Sequence, residues 1–383
     1  MSIKKQGPLG CLKIIEFAGI GPAPMCGMLL SDLGAEVLRI DRPEEADVGI
    51  KRPLETNFIL RGRRTVKLDL KNPQSIDLVL KLVEQADCII EGFRPGVMER
   101  LGLGPDRCLE RNPALVYGRV TGWGQDGPLS SQAGHDLNYI ALTGALDALG
   151  REGEKPAVPL NLIGDFAGGA LFLALGLLAA VLEARGSGEG QVVDAAIVDG
   201  VSSMLTSING LRAAGLFAST RGTNILDSGA YFYDVYRCAD GGHIAVGAIE
   251  KRFFSIFLER LGLNREQMPA QDDREGWSEG RRRLQAVFEG RPRDHWVRLF
   301  ADSDACVSPV LSIEESFNDP HMQARKIYED IGGFTQSRPA PRFSRTPPGA
   351  PTPPRGAQGL EALSAWEVDA ATRDLARAVI RHG

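Results

Sequence analysis

The sequence predicts an α/β protein that combines a large domain built on a parallel sheet with a smaller α+β domain. Strand-like and helix-like segments alternate through residue 198, which is typical of a parallel sheet. Near residue 230 the pattern changes to short strands joined by a tight turn, as expected for an α+β fold. The predicted division is a large domain over 1–198, a linker helix over 199–229, a small domain over 230–330, and a proline-rich strap with a final helix over 331–383 that rejoins the large domain.

The first βαβ unit comprises a strand over 12–17, a helix that continues to residue 33, and a strand over 36–40. Pro24 suits the first turn of the helix because that turn needs no amide donor. Asp41 follows Gly21 at the spacing of a dinucleotide-binding motif, but Pro24 stands where the third glycine belongs. A nicotinamide site is therefore disfavoured.

The remaining elements follow in order along the chain. In the large domain the sequence predicts a helix over 75–85, a strand over 88–92, a helix from 97, a strand over 115–120, a glycine-rich loop over 121–128, an apolar helix over 166–182 and a strand passing into a helix over 190–200. Beyond it we expect strands over 231–236, 243–248 and 306–311, a helix over 251–261, an extended strap with seven prolines over 338–354, and an amphipathic helix over 360–380.

Charge and composition exclude several classes of protein. The net charge is −5, so no bulk field attracts nucleic acid or anionic membranes. The uncharged run over 166–182 lies at the lower limit of spanning length, and we expect a helix buried on all sides in a soluble domain, not a membrane anchor. Six scattered cysteines without a C-x-x-C pair, and an N-terminus without the apolar run of a signal peptide, predict a cytoplasmic protein.

A basic segment over residues 61–71 concentrates five cations. One interpretation is a solvated strand end, which is the usual meaning of such a run. The other is a phosphate-binding segment, because an acidic protein has reason to collect cations only locally.

Residues 134–169 contain two groups suited to moving protons. His135 lies in a polar Gly-His-Asp turn, and Asp165 lies at the start of the long apolar helix, where amides and the helix dipole favour negative charge. An imidazole and a carboxylate on either side of one carbon are what reversible proton abstraction needs. Spacing alone leaves open that Asp165 is an N-cap and His135 a loop residue.

Seven blocks follow one another along nearly the whole chain: FAGIGP (17–22), DLGAEVLRIDRP (32–43), EGFRPGVMERLGLGP (91–105), TGWGQDGP (121–128), GHDLNYIALTG (134–144), PLNLIGDFAGG (159–169) and VGAIE (246–250). With these blocks the chain resembles the family III CoA-transferase (CaiB/BaiF) superfamily, and most of all its α-methylacyl-CoA racemase branch. The resemblance implies a Rossmann-like large domain, a small domain, and a homodimer of two interlocked chains.

The resemblance also implies roles for particular residues. His135 and Asp165 would be the acid/base pair, Glu250 would orient His135, and Asn161 and Asp136 would support the site. The residues that would hold the CoA thioester are Ile20, Arg42, Leu68, Lys71, Arg94, Arg100, Gly134 and Tyr139. The implied reaction of lipid metabolism interconverts (R)- and (S)-2-methylacyl-CoA through an enolate. It needs no metal and no separate cofactor, since CoA is part of the substrate.

Three rival functions stay open. A CoA transferase of the same fold would use Asp165 as a nucleophile to move CoA between carboxylic acids. A nicotinamide oxidoreductase is disfavoured by Pro24. A non-catalytic acyl-CoA-binding protein would not need His135 or Asp165 at all.

Overall fold

The computed structural model describes residues 6–44 and 49–380, which form two compact units. The large unit comprises the described parts of Met1–Thr143, Pro159–Met204 and Arg325–Gly383, and the small unit comprises Gly144–Val158 and Leu205–Ala324. This division differs from the predicted domains in that residues 144–158 pack with the small unit. The chain also re-enters the large unit at residue 325.

The large unit contains a six-stranded parallel sheet in the order β3-β2-β1-β4-β5-β6. Its elements are β1 (Lys13–Phe17), α1 (Pro22–Asp32), β2 (Glu36–Asp41), β3 (Arg64–Lys67), α2 (Pro73–Val83), β4 (Cys88–Glu91), α3 (Val97–Arg100), α4 (Pro105–Arg111), β5 (Val116–Thr121), α5 (Asp136–Leu142), α6 (Phe172–Ser187), β6 (Val192–Ala196) and α7 (Ile197–Met204). A π-helical segment, Leu162–Leu171, leads directly into α6. The predicted parallel α/β sheet is confirmed, and its strand order is that of doubly wound nucleotide-binding folds.

The small unit contains an antiparallel sheet in the order β7-β8-β9. Its elements are α8 (Thr206–Ala213), β7 (Tyr233–Arg237), β8 (His243–Gly247), α9 (Lys251–Leu261), α10 (Trp277–Phe288), α11 (Arg293–Phe300), β9 (Val307–Val310), α12 (Ile313–Phe317) and α13 (Pro320–Ala324). Its core is aromatic, with Tyr236 stacked on Phe288 and Phe257 stacked on Phe300. Buried Asp234 accepts hydrogen bonds from Arg151 and Arg281, which fastens residues 144–158 to this unit.

The last part of the chain returns to the large unit. It forms the hairpin β10 (Tyr328–Asp330) and β11 (Thr335–Ser337), an extended proline-rich strap, a 3₁₀ turn over Gly359–Leu363, and α14 (Ala370–Val379). The prediction of one continuous helix over 360–380 is wrong. Asp369 ends the continuity because its side chain caps α14 by accepting a hydrogen bond from the Thr372 amide at 2.6 Å.

Helices cover both faces of the parallel sheet, as alternation along each strand requires. Ile14, Val37 and Ile90 belong to a core with residues of α1 and α6. Ile15, Phe17 and Leu38 belong to the opposite core with α2, α4 and α14. A sheet covered in this way leaves the carboxyl ends of its strands as the open edge for a ligand.

The long apolar helix is only partly covered. Leu173, Leu177 and Ala180 pack against the sheet, but Leu171, Leu175 and Leu182 are 52%, 64% and 76% exposed. The expectation of burial on all sides is therefore wrong for the single chain. By length and composition, the continuous helix Leu162–Ser187 could cross a membrane. In its most apolar stretch of 18 residues, 39% is buried.

Candidate active site

The predicted site residues of the large unit collect at the carboxyl ends of the parallel strands. Ile20 follows β1, Arg42 follows β2, Lys71 follows β3, and Arg94 follows β4. The strand order reverses between β1 and β4, and a doubly wound sheet opens a crevice at such a point. The chain positions these residues together although as many as 74 positions separate them.

Asp165 lies in the first turn of the π-helical segment, whose N-cap is Asn161. Its carboxylate lies against Gly21, the N-cap of α1, because a Cβ built on Gly21 would come within 2.9 Å of Asp165 Oδ2. Gly21 has a φ of 65°, a conformation that glycine adopts without strain. Asn161 Nδ2 donates a hydrogen bond to Asp165 Oδ2 at 3.3 Å.

Asp136 is joined to Asp165 through the main chain. The Asp165 amide donates to Asp136 Oδ1 at 2.6 Å, and Gly164 leaves no room for a side chain beside that oxygen. Asp136 Oδ2 is buried and has no hydrogen-bond partner among the described residues. The amide of Asp165 is thus occupied by Asp136 and is not available to a ligand.

The two carboxyl groups have perturbed acidities. Burial raises the pKa of Asp165 above its ordinary value, and the negative charge of Asp136 raises it further, while the hydrogen bond from Asn161 and the charge of His135 oppose the increase. Burial also raises the pKa of Asp136, against the amides that it accepts. A raised pKa makes Asp165 a stronger base once it is ionised, which suits a group that must take a proton from carbon.

His135 is exposed and occupies the N-cap position of α5. Its amide donates to Asn138 Oδ1 at 3.0 Å, and its side chain lies near enough to Asp165 to lower the pKa of that carboxyl. The imidazole and the carboxylate therefore meet at one edge of the sheet, because α5 packs on the π-helical segment. The structure brings together four of the five predicted catalytic residues: His135, Asp136, Asn161 and Asp165.

Tyr139 lies behind His135. Its hydroxyl donates to the carbonyl of Gly134, and its ring packs edge-on against Trp123 with centroids 4.7 Å apart. Burial raises the pKa of Tyr139, and so does Asp165, while Arg94 lowers it. Tyr139 thus lies close enough to both Asp165 and Arg94 for their charges to shift its pKa.

The cationic side chains predicted to bind CoA lie at the surface of the large unit. Arg42, Lys71, Arg94 and Arg100 are exposed, and the Arg42 guanidinium lies 5.7 Å from the centroid of the Phe93 ring. Leu68 differs from them because its side chain is buried in the core, so it can contact a ligand only through its main chain.

The basic segment proves to be mainly structural. Arg61 makes a two-point ion pair with buried Asp32, at 3.1 and 2.6 Å, and Arg63 Nε donates to buried Glu16 at 2.9 Å. Arg64 lies 3.2 Å from Glu36. The phosphate-binding interpretation is therefore wrong for Arg61 and Arg63, because each guanidinium is paired with a buried carboxylate.

Glu250 belongs to the small unit, where it precedes α9 as its N-cap residue. It is exposed, and its side chain makes no capping hydrogen bond. The position is therefore that of a helix cap, although the carboxylate does not take part in capping. Its predicted role as the partner of His135 stays a prediction.

Three further residues shape the site and had no role assigned from the sequence. Gly21 makes room for Asp165, and Gly122 makes room for the ring of Tyr139. Asn138 holds the His135 amide, which its position three residues after a helix-capping residue could have indicated. Among the described residues, no group of three or more His, Cys, Asp or Glu side chains could hold a metal ion.

The chain is similar to known proteins over most of its length. The model of CoA-transferase family III matches residues 9–358. The α-methylacyl-CoA racemase of Mus musculus is 42% identical over 337 residues, covering 88% of this chain and 86% of that protein. The Homo sapiens α-methylacyl-CoA racemase is 39% identical over 343 residues, with the same coverage of 88% and 86%. A crystal structure of a CaiB/BaiF family protein from Brucella suis has a TM-score of 0.79 at 24% identity, covering 95% of this chain and 100% of that one, and so shares its fold.

Proposed function

The chain belongs to CoA-transferase family III, and on that premise we propose that it is an isomerase that racemises 2-methylacyl-CoA thioesters. The observation that carries the proposal is the pairing of Asp165, a carboxyl group with a raised pKa, with an exposed imidazole at the same edge of the sheet. The names of relatives at 39–42% identity agree with it.

The reaction moves one proton at the α-carbon. In one direction neutral His135 takes the α-proton and leaves an enolate, and protonated Asp165 returns a proton to the opposite face. In the other direction ionised Asp165 takes the α-proton and protonated His135 returns one. Each turnover inverts the centre and exchanges which group carries the proton. Asn161 and Asp136 support Asp165, and Glu250 is proposed to polarise His135. We propose no metal and no cofactor besides the CoA of the substrate.

The thioester is proposed to lie along the carboxyl edge of the sheet. Exposed Arg42, Lys71, Arg94 and Arg100 supply positive charge for the phosphates of CoA, and Ile20 supplies a 43% exposed apolar side chain. Gly134 and Tyr139 lie beside His135 and form the part of the edge nearest the reacting carbon.

A homodimer is part of the proposal. Leu171, Leu175 and Leu182 leave an apolar face of the long helix uncovered, and a second copy of the chain would bury it. Sedimentation velocity should give twice the monomer mass, and Leu175→Glu should shift the protein towards the monomer. We also propose a cytoplasmic location, which the six free cysteines of the chain support.

The test incubates each enantiomer of a 2-methylacyl-CoA with the protein in D₂O. We expect deuterium at the α-carbon and convergence of both samples to the same near-equal mixture, and we expect His135→Ala and Asp165→Asn to abolish the interconversion. Absence of α-exchange with several such thioesters would refute the proposal. A hydroxylamine-sensitive adduct on Asp165 would instead support a CoA transferase.

A further inference from the structure

The peptide bond between Gly134 and His135 is held at both of its polar atoms. The Tyr139 hydroxyl donates to the carbonyl of Gly134, and the amide of His135 donates to Asn138 Oδ1 at 3.0 Å. Both holding residues come from the first turn of α5, and the carbonyl of His135 accepts the amide of Asn138 at 2.8 Å in return. The backbone on either side of His135 is therefore fixed from the helix that follows it.

The ring of Tyr139 is itself immobilised. It is 9% exposed and packs edge-on against Trp123 at a centroid distance of 4.7 Å. A Cβ on Gly122 would lie 1.9 Å from Tyr139 Cε1, and a Cβ on Gly134 would lie 2.7 Å from the same atom. The ring thus fills the space that only two glycines leave open, and its hydroxyl has one fixed target.

The His135 side chain is exposed, so packing within the large unit does little to orient it. A base must stay within a fraction of an ångström of its working position, and a displacement of about 1 Å can cost about a hundredfold in rate. We infer that Asn138 and Tyr139 form a peptide clamp that positions the imidazole of His135 for proton transfer. In this role the Tyr139 hydroxyl acts on the main chain of the base and not on the substrate.

The clamp is tested by removing each hydrogen bond separately. Tyr139→Phe keeps the ring and loses the hydroxyl, and Asn138→Ala loses the amide oxygen. Because the kinetic consequence rests on the proposed racemase function, we expect each variant to lower kcat about tenfold while KM for the thioester changes less than about twofold. Asn138→Asp keeps an acceptor oxygen in the first turn and should restore much of kcat.

The matched control is Tyr117→Phe. The Tyr117 hydroxyl also donates to a main-chain carbonyl, that of Leu103 at 2.8 Å, and its ring is also buried. Both variants remove one buried hydroxyl-to-carbonyl bond, so a merely structural loss would affect them alike. The clamp is contradicted if Tyr139→Phe retains the kcat of Tyr117→Phe, or if it raises KM at unchanged kcat.

Gly122→Ala should disturb the same clamp by moving the Tyr139 ring, because the added methyl group would overlap that ring. We expect Gly122→Ala to lower kcat as Tyr139→Phe does. The double variant that carries both substitutions should have a kcat no lower than that of the more affected single variant. Additive losses would show that Gly122 acts by another route and would overturn the shared clamp.

Hydrogen exchange separates failure of the clamp from failure of the proposed function. The His135 amide should exchange faster in Asn138→Ala, and residues 130–143 should exchange faster in Tyr139→Phe than in the wild-type protein, whatever the substrate proves to be. Unchanged exchange in both variants would refute the clamp. Absent α-exchange in the wild-type protein with faster amide exchange in the variants would refute only the racemase.

Discussion

Two groups of charged residues in the large unit differ in how their charges are used. Inside the fold, Arg39 and Arg63 share buried Glu16, and Arg61 pairs with buried Asp32. At the carboxyl edge of the sheet, Arg42 and Arg94 are exposed, and Asp165 has a raised pKa. The interior charges are balanced by partners within the chain, whereas the edge charges are available to a ligand. Burial with a carboxylate partner thus distinguishes the structural arginines from those available to a ligand, and residue type alone does not make this distinction.

The largest effect expected from this comparison concerns the interior. Arg61→Ala should lower the free energy of unfolding by about 3–5 kcal/mol because it leaves Asp32 buried without its partner. Chemical denaturation followed by circular dichroism measures the loss. Arg61→Lys should rescue little, since a lysine cannot make the two-point contact. A loss below about 1 kcal/mol, the usual value for an exposed pair, would place Arg61 with the edge residues.

Edge cations should show the reverse pattern. Arg94→Ala and Arg42→Ala should each raise KM for the CoA thioester by roughly fivefold, with an unfolding free energy within about 0.5 kcal/mol of wild type. The increase should shrink as salt concentration rises, because exposed charges are screened. Arg282→Ala, which removes an exposed pair with Glu279 in the small unit, is the control and should leave KM unchanged. Equal KM values in all three variants would remove the edge from the binding site.

The smallest effect concerns Asp165. Its folded pKa is raised, so its protonated form is favoured in the folded protein and the stability it contributes at low pH is lost as pH rises through the folded pKa. Asp165→Asn should therefore be more stable than wild type at pH 7, by on the order of 1 kcal/mol. The difference should vanish below about pH 4, the ordinary pKa of an aspartate. Thermal melts at several pH values measure it, and a variant less stable at pH 7 than at pH 4, relative to wild type, would contradict this ordering.

Local sequence patterns predicted most helices and strands, but they could not predict contacts between residues that are far apart in the chain. The helix over 251–261 has the predicted bounds, and β1, β2, β4 and β5 are displaced from the predicted strands by at most one residue, because alternation and end signals are contained within each segment. β3 was not predicted as a strand. Arg61 finds Asp32 across 29 positions, and nothing near either residue reveals the pairing. The exposure of Leu175 is equally hidden, because an apolar helix has the same sequence whether the chain covers all of it or only one side.

The candidate site shows the same division. Resemblance to the family named His135 and Asp165, and the family was confirmed by comparison, but the raised pKa of Asp165 and the occupied Asp165 amide depend on how Asp136 and Gly164 pack beside it. These features follow from contact between α5 and the π-helical segment, which no local pattern predicts.

The most direct test of the account follows α-proton exchange separately for each enantiomer of a 2-methylacyl-CoA in D₂O, with His135→Ala and Asp165→Asn. If the two groups serve opposite faces of the α-carbon, neither variant interconverts the enantiomers, and each retains exchange with one enantiomer, a different one for each variant. If either variant still racemises, or if both exchange the same enantiomer, the two groups are not the acid/base pair.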